Sequence, residues 1–187
     1  MRIISGSFKG KKILEPKDKN TRPLRDLTKE SIFNILKHSN KFSIKLEGSN
    51  ILDLFSGVGS FGIECLSRQA GQVIFIENYK GVLPILKKNL LNLKKNVKYE
   101  IIEKDVYQDE TLLTLDLKFD IIFCDPPYKY KNLNDIFIRI KQANILNEKG
   151  IIIIHRHKNE EDFFSDELKI LEQKKYGISK IIFISLN

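Results

Sequence analysis

Short apolar runs alternate with helix-like segments through most of the chain, and this alternation constrains the fold more than any other feature. The predicted strands are Ile51–Phe55, Val73–Glu77, Tyr99–Glu103, Phe119–Cys124 and Ile151–Ile154. The predicted helices between them are Phe61–Arg68, Val82–Leu93 and Ile136–Ile145. Short strands that are apolar throughout are typical of a parallel sheet with helices on both faces. The sequence therefore predicts a doubly wound α/β fold.

The two ends of the chain depart from this alternation. Near the C-terminus, Leu168–Tyr176 and Lys180–Leu186 flank Gly177, which predicts an antiparallel hairpin. Near the N-terminus, Arg2–Ser5 and Lys11–Leu14 flank a turn-like stretch and predict a second, smaller hairpin. A helix is predicted next, over 26–37, and its first residue is a plausible N-cap because aspartate accepts hydrogen bonds from free amides. We expect residues 1–40 to form an extension of a main domain that covers 41–187.

Charge and cysteine content narrow the class of protein without deciding it. The 32 basic and 24 acidic residues give a formal charge of +8, which attracts polyanions such as RNA or DNA. The chain is rich in isoleucine and lysine, so part of this excess reflects compositional bias. Cys65 and Cys124 are isolated and match neither a disulfide framework nor a metal motif. No run is long enough to span a bilayer, and no secretory signal is evident. We expect a soluble cytoplasmic protein without an obligate protein partner.

A glycine-rich turn follows the first predicted strand. The segment Asp53–Gly62 contains Gly57, Gly59 and Gly62, and such a turn lets the backbone approach a ligand closely at the start of a helix. Glu77 ends the second strand, where an acidic side chain can accept the two hydroxyls of a ribose. Taken alone, this pattern also permits a dinucleotide such as NAD.

The segment Asp125-Pro126-Pro127-Tyr128 follows the fourth predicted strand. In a doubly wound sheet, the loops after the first and fourth strands open onto the same edge. A carboxylate and the carbonyl of Pro126 can accept the two protons of an exocyclic base amine, which frees the nitrogen lone pair for attack on a methyl group. The prolines stiffen the loop, and Tyr128 offers a face on which a base can stack. The combination indicates S-adenosylmethionine-dependent methylation of a nucleic-acid base.

The motifs together resemble the RsmD family of bacterial methyltransferases, which have a Rossmann-like class I fold. Segments throughout the chain carry the resemblance: 1–6, 9–12, 21–23, 30–34, 53–62, 125–128 and 176–177. The resemblance implies that the target is the N2 amine of a guanine in 16S ribosomal RNA, either free or in an assembling particle. The family pattern differs at two places. Leu24-Arg25 replaces small polar residues, and His155 stands where a glutamate is frequent. We expect neither difference to touch the chemistry.

The resemblance and the motifs together define the expected site residues. The candidate catalytic residues are Asp125, Pro126, Pro127 and Tyr128. The expected cofactor contacts are Asp53, Phe55, Gly57, Gly59, Glu77, Asp105 and Val106, with Asp105 accepting the adenine amino group. A basic N-terminal arm is expected to bind RNA through Lys9, Lys11, Lys12, Arg22 and Arg25.

Two other functions stay open at this level. An adenine-N6 methyltransferase acting on DNA or RNA would use the same Asp-Pro-Pro-Tyr loop, although 187 residues leave little room for a separate target-recognition domain. A non-catalytic RNA-binding assembly factor could also keep this fold, although its motif residues would be expected to have decayed. His155 and His157 could share a strand face, but no further ligands at suitable spacing indicate a metal site.

Overall fold

The structure, a computed structural model, describes residues 1–16, 24–93, 96–127 and 133–186. Its strands are β1 (Asn50–Leu54), β2 (Gln72–Ile76), β3 (Tyr99–Ile102), β4 (Phe119–Cys124), β5 (Leu146–His157), β6 (Leu168–Tyr176) and β7 (Ser179–Leu186). Its helices are α1 (Asp26–His38), α2 (Ser60–Ser67), α3 (Leu83–Leu91), α4 (Asp109–Leu113) and α5 (Asn134–Ala143). The short helix α4 was not predicted. The other helices and strands agree with the predicted ones to within two residues at each end, apart from β5, which begins five residues earlier and ends three residues later.

All seven strands form one sheet in the order β3-β2-β1-β4-β5-β7-β6. The first five strands pair in parallel, whereas β7 pairs antiparallel with both β5 and β6. The chain order reverses between β1 and β4, because β2 and β3 lie on one side of β1 and the later strands on the other. This is the topological switch point, where ligands bind in doubly wound folds. The predicted Rossmann-like fold with a C-terminal antiparallel hairpin is confirmed.

Apolar side chains cover both faces of the sheet. Successive residues of one strand belong to different core clusters, as Ile51 and Leu52 do in β1. Helices α2 and α3 pack with Ile51 on one face, and α5 packs with Leu52 on the other. This burial on both faces explains why the central strands are apolar throughout. No helix within the described residues has the length and apolar character needed to cross a membrane.

The N-terminal hairpin is short and packs against the main domain. Its two arms share a single antiparallel bridge, between Arg2 and Lys12. Ile3, Phe8 and Ile13 are buried in the same core cluster as helices α1, α2 and α3. Residues before and after position 40 therefore contribute to one continuous core.

A buried polar cluster fixes this hairpin to α2. The carboxylate of Glu64, which is fully buried, accepts the amides of Ile4 and Ser5 at 2.8 and 2.9 Å. Lys29 of α1, also fully buried, donates to the Arg2 carbonyl at 2.7 Å and lies 3.7 Å from Glu64. Burial lowers the pKa of Lys29, although Glu64 and Asp26 oppose this shift.

The predicted N-cap at Asp26 is wrong. The capping position is Arg25, whose backbone is extended, and Asp26 is the first helical residue. The side chain of Arg25 makes no capping hydrogen bond. The Asp26 carboxylate instead lies 3.7 Å from the ammonium of Lys29 one turn later, because a buried lysine attracts nearby carboxylates.

Candidate active site

Three carboxylates lie at the carboxyl edge of the central strands. Leu54, the last residue of β1, is in register with Ile76 of β2 and with Cys124 of β4. The residues that follow these positions, Glu77 and Asp125, therefore lie on either side of the glycine-rich turn. Asp53 is the penultimate residue of β1. The structure thus brings together the two motifs that were separate in the sequence.

The turn after β1 requires left-handed backbone conformations. Gly57 and Gly59 have φ values of 56° and 81°, which glycine adopts without steric cost. Phe55 has a φ of 57°, which is strained for a non-glycine residue and is typical of ligand-binding turns. A Cβ atom at Gly62 would lie 2.3 Å from the ring of Phe75, so the third glycine permits close packing of α2 on the sheet.

Glu77 holds this turn in place. Its Oε2 accepts the amide of Gly57 at 2.7 Å, and its Oε1 accepts the amides of Asn78 and Tyr79 at 2.9 and 2.8 Å. Three main-chain donors therefore fix the orientation of this carboxylate. A carboxylate fixed at the end of β2 is well placed to accept further hydroxyl groups.

Asp53 lies behind the turn and is almost fully buried. Burial raises the pKa of this carboxyl group well above its usual value, although a hydrogen bond from the Gly62 amide at 2.9 Å opposes the shift. The charges of Asp125 and Glu77 raise the pKa further. Asp53 thus lies close enough to both carboxylates for their charges to disfavour its ionisation, and a cationic ligand would relieve this effect.

The loop after β3 completes this half of the site. Asp105 accepts the amide of Tyr107 through Oδ1 at 2.9 Å, and its main-chain carbonyl accepts the hydroxyl of Thr111 at 2.8 Å. Val106 between them is buried. The rings of Tyr107 and Phe55 lie 5.9 Å apart, so the loops after β1 and β3 are in contact.

The loop after β4 carries Asp125, whose side chain is 25% exposed. Pro126 is buried and Pro127 is exposed. The Nδ1 atom of His155 lies 2.9 Å from Oδ1 of Asp125, and its Nε2 lies 2.9 Å from the hydroxyl of Ser179. The ring of His155 thus contacts the candidate catalytic carboxylate, which the sequence analysis did not predict.

Sequence reasoning missed this contact, although the signal was present in the strand pairing. Cys124 of β4 is in register with Ile154 of β5. The residues that follow them, Asp125 and His155, are therefore neighbours across two parallel strands. Burial of the imidazole opposes its charged form, but Asp125 outweighs this effect through its charge and hydrogen bond, so the pKa of His155 is raised.

The two cysteines are buried and free, as expected for structural thiols. Burial raises the pKa of both Cys65 and Cys124, which disfavours the reactive thiolate. Within the described ranges, no group of three or more potential ligand residues could hold a metal ion. The Nδ1 atom of His157 accepts the amide of Asn159 at 3.3 Å.

The predicted RNA-binding residues differ in their surroundings. Tyr128 of the catalytic loop and Arg22 of the basic arm lie outside the described residues. Lys9, Lys12 and Arg25 are exposed. Lys11 is also exposed, but its ammonium lies 3.2 Å from the carbonyls of Asn92 and Leu93 and 5.0 Å from the centre of the Phe8 ring. Lys11 thus has structural partners at the C-terminal end of α3.

Comparison with known proteins agrees with this geometry. The family described as Conserved hypothetical protein 95 matches residues 1–185. The chain belongs to this family. Ribosomal RNA small subunit methyltransferase D of Haemophilus influenzae is 31% identical over 179 residues, which cover 95% of this chain and 90% of that protein. The resemblance to the RsmD family is confirmed.

Solved structures show the same fold. The yhhF protein of Escherichia coli superposes with a TM-score of 0.80 at 24% identity, covering 98% of this chain and 96% of that chain. Magnesium protoporphyrin IX methyltransferase of Synechocystis PCC 6803, whose structure contains bound S-adenosylmethionine, superposes with a TM-score of 0.62 at 15% identity. That match covers 84% of this chain and 77% of that one.

The residues at the carboxyl edge fit S-adenosylmethionine. The cofactor carries a positively charged sulfonium and an ammonium group, and the neighbouring carboxyl groups of Asp53 and Glu77 favour positive charge. Glu77 supplies a fixed acceptor for ribose hydroxyls, and Asp105 and Val106 lie in the loop expected to meet the adenine. When bound, the cofactor supplies an electrophilic methyl group.

Proposed function

We propose that this protein transfers a methyl group from S-adenosylmethionine to the N2 amine of a guanine in 16S ribosomal RNA. One observation carries the proposal: Asp125, at the start of the Asp-Pro-Pro-Tyr loop, lies on one side of the glycine-rich turn at the switch point of the sheet, and Glu77 lies on the other side. The guanine and the ribosomal RNA are taken from the RsmD family and from the name of the Haemophilus relative.

Asp125 acts on the amine in this proposal. The lone pair of an exocyclic amine is delocalised into the base, so the amine is a poor nucleophile. Asp125 accepts one amine proton in a hydrogen bond and the Pro126 carbonyl accepts the other, which draws the nitrogen toward tetrahedral geometry. The partial exposure of Asp125 gives an incoming base access to this carboxylate. Tyr128 is proposed to stack on the extruded base.

Residues 1–40 are proposed to grip the RNA. Lys9, Lys12 and Arg25 are exposed and can contact phosphates, which set affinity without reading sequence. Arg22 is proposed to lie nearest the target. Because the hairpin packs on the same core as the main domain, this basic surface has a fixed position relative to the catalytic edge. The substrate is proposed to be small-subunit RNA, free or in an assembling particle, in the cytoplasm.

The decisive experiment uses small-subunit RNA and particles from a strain that lacks this protein. The purified enzyme is incubated with each substrate and labelled S-adenosylmethionine, and the nucleosides are then analysed by mass spectrometry. We expect N2-methylguanosine to appear at one position, which primer extension would locate. N6-methyladenosine as the product would replace guanine with adenine as the target. Tight RNA binding without any transfer would instead support a non-catalytic assembly factor.

A further inference from the structure

A hydrogen-bonded relay of three polar side chains leads from Asp125 into the protein, and its members are His155, Ser179 and Thr28. His155 of β5 bridges Asp125 and Ser179, with 2.9 Å on each side of the ring. Ser179 is the first residue of β7. The next side chain in the relay is Thr28 of α1, whose hydroxyl lies 3.4 Å from the Ser179 hydroxyl. The relay thus connects the candidate catalytic loop with α1, the helix that follows the basic hairpin.

The chemistry of these groups determines which atom donates and which accepts in each hydrogen bond of the relay. An ionised carboxylate only accepts hydrogen bonds, so the Nδ1 atom of His155 must carry the proton shared with Asp125. In the neutral ring, Nε2 is then an acceptor, and Ser179 donates its hydroxyl proton to it. A neutral His155 therefore presents one N–H to Asp125 and leaves the rest of this carboxylate for the substrate.

We propose that His155 is a positioning residue for Asp125, which orients the carboxylate toward the target amine when neutral and weakens it as an acceptor when protonated. This proposal rests on the methyltransferase function proposed above. Protonation of the ring converts the contact into an ion pair, which stabilises the carboxylate charge and reduces its tendency to accept a further proton. It also makes Nε2 a donor, so the Ser179 hydroxyl must turn away.

The charges around the ring determine where this change occurs. Asp125, at the end of β4, favours the protonated ring, whereas burial and Arg156 on the same strand disfavour it. Ser179 of β7 and Thr28 of α1 are uncharged. The attraction by Asp125 prevails and raises the pKa of His155 above its usual value of about 6.5. We therefore expect the change to occur at a higher pH than the titration of an ordinary imidazole.

The arrangement resembles a Ser-His-Asp triad but cannot act as one. Ser179 is only 6% exposed and lies in the sheet beneath Thr28, so a substrate carbonyl cannot reach its hydroxyl. The accessible group is the carboxylate of Asp125, at the end of the relay. The relay therefore supports the carboxylate and does not activate the serine.

The test compares His155→Asn with His155→Ala in methyl transfer to small-subunit particles from the deletion strain. Asparagine can replace the Nδ1–H donor but does not titrate, whereas alanine removes the donor. For the wild-type protein we expect kcat to fall on the acid side with the titration of His155. His155→Asn should retain most of the kcat at neutral pH and lose this acid limb. His155→Ala should lower kcat about tenfold or more with little change in KM for the cofactor, because the carboxylate is no longer oriented.

His38→Asn is the matched control, because His38 is exposed at the C-terminal end of α1, ten residues after Thr28, the last member of the relay. It should leave both kcat and its pH profile unchanged. An unchanged kcat and acid limb in both His155 variants would overturn the proposal.

A second measurement does not depend on activity. The pKa of His155, followed by NMR, should fall in Asp125→Asn, because this variant removes the charge that favours the imidazolium. In His38→Asn the pKa of His155 should be the same as in the wild type. An unchanged pKa of His155 would overturn the contact itself. A wild-type protein that transfers no methyl group would instead overturn the proposed function, and the NMR result would still show whether the contact exists.

Discussion

The two halves of the candidate site hold their carboxylates in different ways. On the β2 side, Glu77 accepts three main-chain amides, and Asp53 accepts a fourth from Gly62. On the β4 side, Asp125 contacts the side chain of His155 and is partly exposed. Main-chain donors cannot titrate, whereas an imidazole can. We call the β2 side, whose carboxylates are held by amides that do not titrate, the rigid half, and it suits the cofactor. We call the β4 side, whose carboxylate contacts a titratable imidazole, the responsive half.

The largest effect is expected in the responsive half. Asp125→Ala removes an acceptor aimed at charge that develops during the reaction, so kcat should fall about 10²–10³-fold. Cofactor affinity, measured by calorimetry with the demethylated product, should change little. A variant that loses cofactor binding and turnover together would show that Asp125 belongs to the cofactor half, and the distinction between the two halves would be lost.

A smaller effect is expected in the rigid half. Glu77→Ala removes the acceptor of the Gly57, Asn78 and Tyr79 amides as well as the expected ribose acceptor. Cofactor binding should weaken by about 1–3 kcal/mol, which calorimetry measures. Glu100→Gln, an exposed change on β3, serves as the control and should bind normally. Equal affinities for both variants would contradict the assignment of Glu77.

The burial of Asp53 predicts a dependence of stability on pH. Because the pKa of Asp53 is raised in the folded protein, its ionisation above the ordinary carboxyl range opposes folding. Asp53→Asn cannot ionise and keeps an acceptor for the Gly62 amide. The variant should therefore have a higher free energy of unfolding than the wild type at neutral pH. Denaturant titrations should show this gain vanishing below pH about 4, where the wild-type carboxyl group is protonated in both states. A gain that persists at acid pH would contradict the titration of Asp53.

The smallest effect concerns the basic hairpin. Lys9→Ala with Lys12→Ala should flatten the log–log salt dependence of RNA binding by about 1.4, or about 0.7 for each phosphate contact to single-stranded RNA. Lys11→Ala provides the contrast, because its ammonium contacts the C-terminal carbonyls of α3 and should affect stability more than the salt slope. An unchanged slope in the double variant would place the RNA elsewhere.

Periodicity and glycine spacing predicted most of the architecture. Apolar strands such as Phe119–Cys124 were predicted with the observed bounds, because burial on both faces leaves few polar positions. The short helix α4 and the early start of β5 were missed. A five-residue helix has too few turns to show a periodic pattern, and the first residues of β5 are mostly polar. The Asp26 cap failed because a buried lysine from the next turn attracts the same carboxylate.

The sequence by itself determined that this chain forms a doubly wound sheet and that Asp125 and the glycine-rich turn meet at its switch point. These features follow from local residue patterns and from the few topologies that parallel strands permit. Only the tertiary structure decided how each carboxylate is held. Glu77, Asp53 and Asp125 are all acidic residues in the sequence, but Glu77 is held by amides of two loops, Asp53 by an amide of α2 and Asp125 by a side chain of β5. The roles of His155 and Lys11 depend in the same way on register and packing, which bring together residues 30 and more than 80 positions apart in the chain.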